Sequence, residues 1–139
     1  MKNKTIALIV SVFLFIMLGV LVYLNFFYIL DVQELYMEMK VSDHVGLNIN
    51  SSAIYFGKVT KGTTAERRVN FTNNYKFPVK VEINTGGNIS EFVSVSENQF
   101  IIYPGEEKNI IYYAKPHEDT PMVTYTGITR VVYKRALFS

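Results

Sequence analysis

The side chains able to do chemistry are few and scattered. The 139-residue chain has no cysteine and two histidines, His44 and His117. Without cysteine there is no disulfide, no thiol nucleophile and no zinc site built on thiolates. His117 is followed by Glu118 and Asp119, an imidazole and two carboxylates on consecutive residues. A metal site draws ligands from several elements, with hydrogen bonds behind them to orient each one. Three neighbours in the polar stretch between Pro116 and Pro121 lack that support, so a solvated loop is expected there. Glu106 and Glu107 pair only in sequence, because neighbours on a strand point to opposite faces. No glycine-rich phosphate loop, nucleophile elbow or zincin motif occurs. The expectation is a protein that is not an enzyme, with no cofactor, no metal and no small-molecule substrate. The remaining chemical candidates are acceptors for glycans. Asn50-Ser51-Ser52, Asn70-Phe71-Thr72 and Asn88-Ile89-Ser90 are sequons, which makes Asn50, Asn70 and Asn88 glycosylation candidates in a host that modifies exported proteins.

The elements that would position these residues fall into two unlike parts. Lys2 and Lys4 are the only charged residues among the first 30, and they account for the whole excess of 14 basic over 12 acidic residues. The rest of the chain is electrically balanced and has no basic stripe for phosphates, so nucleic acid is not an expected partner. Ile6 to Leu30 is interrupted only by Ser11, Gly19 and Asn25. An uncharged run of that length matches the hydrocarbon core of a bilayer as a helix. It is too long for a signal-peptide core, and Tyr23-Leu24-Asn25-Phe26-Phe27-Tyr28 offers no small residues for a peptidase. An uncleaved transmembrane helix over residues 6–30, in contact with the lipid bilayer, is therefore expected, with residues 1–5 as a cytoplasmic tail. Lys2 and Lys4 act as topology determinants: the positive-inside rule puts the N-terminus in the cytoplasm and the rest of the chain beyond the cell membrane.

Asp31 to Lys40, DVQELYMEMK, has no glycine or proline and consists of fair helix formers. Val32, Leu35, Tyr36 and Met39 fall on one helical stripe. These features predict a helical stem and linker over 31–46. From residue 47 the texture changes to short β-like runs split by turns. Expected strands are Leu47–Ile49, Ile54–Val59, Glu66–Thr72, a run opened by Pro78, Glu91–Val95, Phe100–Tyr103, Lys108–Ala114 and Met122–Lys134. Val79, Val81 and Ile83 alternate with Lys80, Glu82 and Asn84, as in a half-buried strand. Alternation also sets Tyr112 and Tyr113 on opposite faces. The fold class predicted for 47–139 is all-β: an immunoglobulin-like β-sandwich of about seven strands, behind a single transmembrane α-helix.

Certain pieces of this pattern carry a resemblance. Ile54-Tyr55-Phe56-Gly57-Lys58-Val59 leads to Gly62, Val69-Asn70-Phe71-Thr72-Asn73 follows, and Pro78 opens the next strand. Pro104-Gly105-Glu106 then precedes a strand, and Gly127 follows Tyr125 near the start of the last one. Over about residues 47–135 this resembles immunoglobulin-like domains of the major sperm protein and abnormal-spindle/Hydin type, in the variant found in prokaryotic surface proteins. The resemblance implies architecture and a binding or scaffolding habit, not catalysis. Cytosolic members of that group lack a membrane anchor, so their partners do not transfer to this chain. The function expected is that of an interaction or scaffold subunit in an envelope-associated assembly, with a protein partner in the membrane or envelope. The alternatives are a stand-alone surface adhesin binding glycan or wall lattice, and an accessory subunit of a membrane enzyme complex.

Overall fold

The computed structural model describes residues 2–43 and 53–136. His44, the expected strand Leu47–Ile49 and the sequon at Asn50 lie outside the described residues.

The first element is a helix, α1 (Lys2–Tyr23), which passes through a π-helical turn at Leu24–Tyr28. Twenty-two residues rising 1.5 Å each span about 33 Å, close to a bilayer's hydrocarbon thickness. Asn3–Tyr23 has a mean hydropathy of 2.9 and none of it is buried against the rest of the protein. α1 is therefore long and apolar enough to cross a membrane.

The helix ends earlier than the apolar run does. The π turn leads straight into a strand, β1 (Ile29–Val41). This overturns the helical stem expected over 31–46 as far as its residues are described, since 31–41 is strand, and it moves the start of the β domain from residue 47 back to 29. The cause is pairing. β1 lies antiparallel to the last strand, β8 (Thr124–Arg135), with Asp31 opposite Tyr133 and Lys40 opposite Thr124. A second period was present in the same residues: Leu35, Met37, Met39 and Val41 alternate with Tyr36, Glu38 and Lys40. Met37, Met39 and Val41 are buried in the core. Helix propensity, worth only tenths of a kcal/mol per residue, yields to this burial.

The other strands are β2 (Ala53–Val59), β3 (Ala65–Thr72), β4 (Val79–Gly87), β5 (Val93–Val95), β6 (Phe100–Ile102) and β7 (Glu107–Ala114). Five form one sheet in the order β2-β1-β8-β4-β6, and three form a second in the order β3-β7-β5. Their inner faces share one core, in which Phe71 of β3 meets Phe100 of β6 edge-on at 5.9 Å. Tyr112 of β7 is fully buried, and its hydroxyl pairs with that of Thr129 on β8 at 3.3 Å, so both polar groups are satisfied. Tyr113 lies on the opposite face and is half-buried.

Two glycines have work that other residues would do badly. In β2, Gly57 has φ +75° and sits at a bulge against β1. Ile54 and Phe56 point inward before it and Val59 after it, so the bulge changes which face the next residue takes. Gly105 has φ +77° and follows Pro104, and the Glu106 N–H donates to the Tyr103 carbonyl at 3.0 Å. This is the type II turn that the Pro-Gly pair calls for.

Candidate functional site

β2 is shorter than β1. It pairs with β1 in parallel only from Tyr36 to Val41, so among the described residues Ile29–Leu35 has a strand partner on one side alone, β8. In the facing sheet β3 is an edge strand, paired among the described residues with β7 alone. The two incompletely paired backbones border a groove that opens between the sheets on the helix-proximal half of the domain. Inward-facing positions of β1 follow the opening. Asp31 and Gln33 are exposed, Leu35 is half-buried, and Met37 is fully buried.

The groove has two adjoining hollows that share Gln33 and Tyr133. One, of about 400 Å³, runs along Leu35, Phe71 and the β3 edge from Arg67 to Asn70. The other, of about 190 Å³, lies nearer the helix, between Asp31 and the Asn73–Tyr75 loop. Tyr133 forms the shared floor. Its ring packs on Phe71 at 6.5 Å and its hydroxyl donates to Oε1 of Gln33 at 3.4 Å. Burial, aided by the negative charge of Asp31, pushes the Tyr133 hydroxyl up to about 12. Tyr133 is therefore neutral at physiological pH and presents an amphipathic surface.

The walls are polar and fixed. Arg67 points inward, and its guanidinium donates to the carbonyls of Tyr55 (2.6 Å), Glu66 (2.8 Å) and Phe56 (3.4 Å). It thus ties β3 to the bulged segment of β2. Asp31 accepts the N–H of Val32 at 2.9 Å and the side-chain amide of Gln33 at 3.3 Å. On the outer face, Glu34 accepts two guanidinium N–H groups of Arg130, at 2.7 and 3.0 Å. Charges placed along a strand at a sheet edge discourage indiscriminate pairing.

Below the groove, at the end of the domain where the helix enters, Asn73 joins two loops. Its Nδ2 donates to the carbonyls of Phe77 (2.9 Å) and Ile102 (2.8 Å), and its Oδ1 accepts the Tyr75 N–H (2.8 Å). Its backbone N–H donates to the Glu106 carbonyl, and its carbonyl accepts the Gly105 N–H. The sequence marks Asn73 as a turn residue, but its service to the Pro104-Gly105 turn appears only in three dimensions.

The other candidate residues are dispersed. Asn70 is exposed on β3 and its side-chain amide donates to Glu107 at 3.0 Å. Asn88 is exposed at the far end, where its Oδ1 accepts the Thr126 N–H at 2.7 Å. Lys4 lies exposed in the first turn of α1, and Lys2 begins that helix. Glu106 accepts the Tyr103 N–H at 3.1 Å while Glu107 holds Asn70, so the two carboxylates serve different partners. The His117 ring packs on Phe92 at 5.9 Å in an exposed loop. No group of three or more metal-ligating side chains occurs among the described residues. Sequence reasoning missed the groove, because it depends on β1 being a strand and on β2 covering only part of it.

Comparison of the chain with family models, with curated proteins and with solved structures found no match.

Proposed function

We propose that the protein is a non-enzymatic, single-pass membrane protein that displays an immunoglobulin-like β-sandwich beyond the membrane as an interaction subunit of an envelope-associated assembly. α1 is the anchor. Lys2 and Lys4 hold its start in the cytoplasm, and the two-sheet domain stands on the other side. Two face-to-face sheets of mostly antiparallel strands and a Pro-Gly turn between β6 and β7 support the immunoglobulin-like reading.

The observation that carries the functional reading is the half of β1, Ile29–Leu35, that among the described residues has a strand partner on one side alone. Ile29–Leu35 and the β3 edge flank a groove with an apolar floor, Leu35, Phe71 and Tyr133, and fixed polar walls. An extended segment of a neighbouring protein would add to the sheet there, taking main-chain hydrogen bonds from the strand and side-chain pockets from the floor. The groove begins within a few residues of the membrane helix, so the natural source of that segment is another membrane or envelope protein.

Photo-cross-linking in native membranes tests this. With p-benzoylphenylalanine in place of Arg68, at the β3 edge, an adduct of one defined mass is expected. The same group in place of Lys61, at the far end, should give none, and Leu35→Arg on the groove floor should abolish the Arg68 adduct. Equal adducts from both positions, or none from Arg68, would remove the groove from the function.

A further inference from the structure

The end of the domain nearest the helix has a surface chemistry of its own. Ile29, the first residue of β1, pairs with Lys134, and one step along β8 Arg135 lies opposite Val79, which in turn pairs with Ile102. The residues just beyond this row, on the 73–78 and 103–106 loops, therefore lie at the same end as the helix. They include Tyr75 and Tyr103, 38% and 47% exposed, and the exposed Lys76. Tyr75 stacks on Phe77 at 5.4 Å, and the Arg135 guanidinium lies over the Phe77 ring, 4.0 Å from its centre. Aromatic and cationic groups are thus layered as Tyr75, Phe77 and Arg135. Asn73 locks both loops together, so the layer is a rigid platform and not a pair of independent loops.

Connection to the helix is equally tight. Only the five-residue π turn separates α1 from β1, and Tyr23 stacks on Phe27 across it at 5.7 Å. Four strands from β1 to β6 set the width of this end at about 14 Å, at roughly 4.8 Å per strand. A domain joined so closely to a membrane helix has its near end held at the bilayer surface. Tyrosine rings with neighbouring Lys and Arg are the side chains that settle at headgroup level, the ring in the boundary and the cation against phosphate.

We infer that the helix-proximal end of the domain, through Tyr75, Lys76, Phe77, Tyr103 and Arg135, rests in the headgroup layer of the same membrane that α1 crosses. This rests on the anchor reading above and adds a lipid surface as a second contact. Seating fixes the tilt of the domain and turns the groove sideways along the membrane, toward neighbours in the same bilayer.

The absence of cysteine allows a clean test on the full chain in vesicles of phosphatidylcholine with phosphatidylglycerol. Asn74→Cys, Lys61→Cys and Leu14→Cys variants each carry one fluorophore, quenched by lipids bearing a shallow or a deep spin label. The Asn74 probe should be quenched by the shallow label about twofold or more above the Lys61 probe, and Leu14 by the deep label. Adding Tyr75→Ser with Tyr103→Ser should bring the Asn74 probe down to the Lys61 level. An Asn74 probe as unquenched as Lys61, with Leu14 quenched, overturns the seating and leaves the anchor. An unquenched Leu14 overturns both.

Discussion

Asn73 does for two loops what a strand partner does for a sheet. Its amide meets two carbonyls and an N–H while it is only 3% exposed. Asn73→Ala leaves those groups without their partner, and a loss of about 2–3 kcal/mol is expected in denaturant unfolding of the full chain in detergent. Tyr133 makes a second prediction. Its hydroxyl is held near 12, above the ordinary value of 10. The unfolded chain therefore gives up this proton first, so the contribution of Tyr133 is fully present below pH 10 and is lost as pH rises from 10 to 12. Denaturation midpoints across that window should fall less steeply in Tyr133→Phe than in the parent protein. The turn roles of Pro104, Gly105 and Asn73 were legible in the sequence because each follows from local backbone chemistry. The role of Tyr133 as groove floor was not, since it depends on the strand laid beside it.

β1 is the element on which the domain's architecture turns. Its residues satisfy two periods at once, a helical stripe through Val32, Leu35, Tyr36 and Met39 and a strand alternation through Leu35, Met37, Met39 and Val41. Local propensity chooses the first; pairing with β8 and burial of the alternating residues choose the second. No reading of DVQELYMEMK in isolation resolves the tie, because the deciding partner is about a hundred residues away. Strands β3 and β4 were legible for the opposite reason, since each carries one alternation between turn signals, and β7 because its run is apolar on both faces, as in a central strand. The two versions of residues 31–40 differ in a measurable way. Glu34 lies directly opposite Arg130, and both are exposed. Glu34→Cys with Arg130→Cys should therefore close to a disulfide under mild oxidation, visible as faster migration on a non-reducing gel. A helical stem would keep the two thiols apart.

At the scale of the molecule, the mean values of the sequence conceal its plan. A net charge of +2 belongs to the two lysines ahead of the apolar segment, and the hydrophobic content of 49% averages a membrane-length helix with an ordinary β domain. The helix runs into the sheet through five residues, so displacement of one is passed to the other with little slack. In the proposed arrangement the domain sits low over the bilayer, its platform at the headgroups and its groove facing along the surface. The cysteine-free domain would hold together there by packing and hydrogen bonding alone. The central claim is that α1 separates Lys4 from the two-sheet domain by the thickness of a membrane. Single-cysteine variants of the full chain, Asn3→Cys and Lys61→Cys, which leave both N-terminal lysines in place, treated on intact cells with a membrane-impermeant maleimide, test it most directly. The account predicts labelling of Lys61→Cys at once and of Asn3→Cys only after the membrane is opened; the reverse order, or equal labelling of both on intact cells, would contradict it.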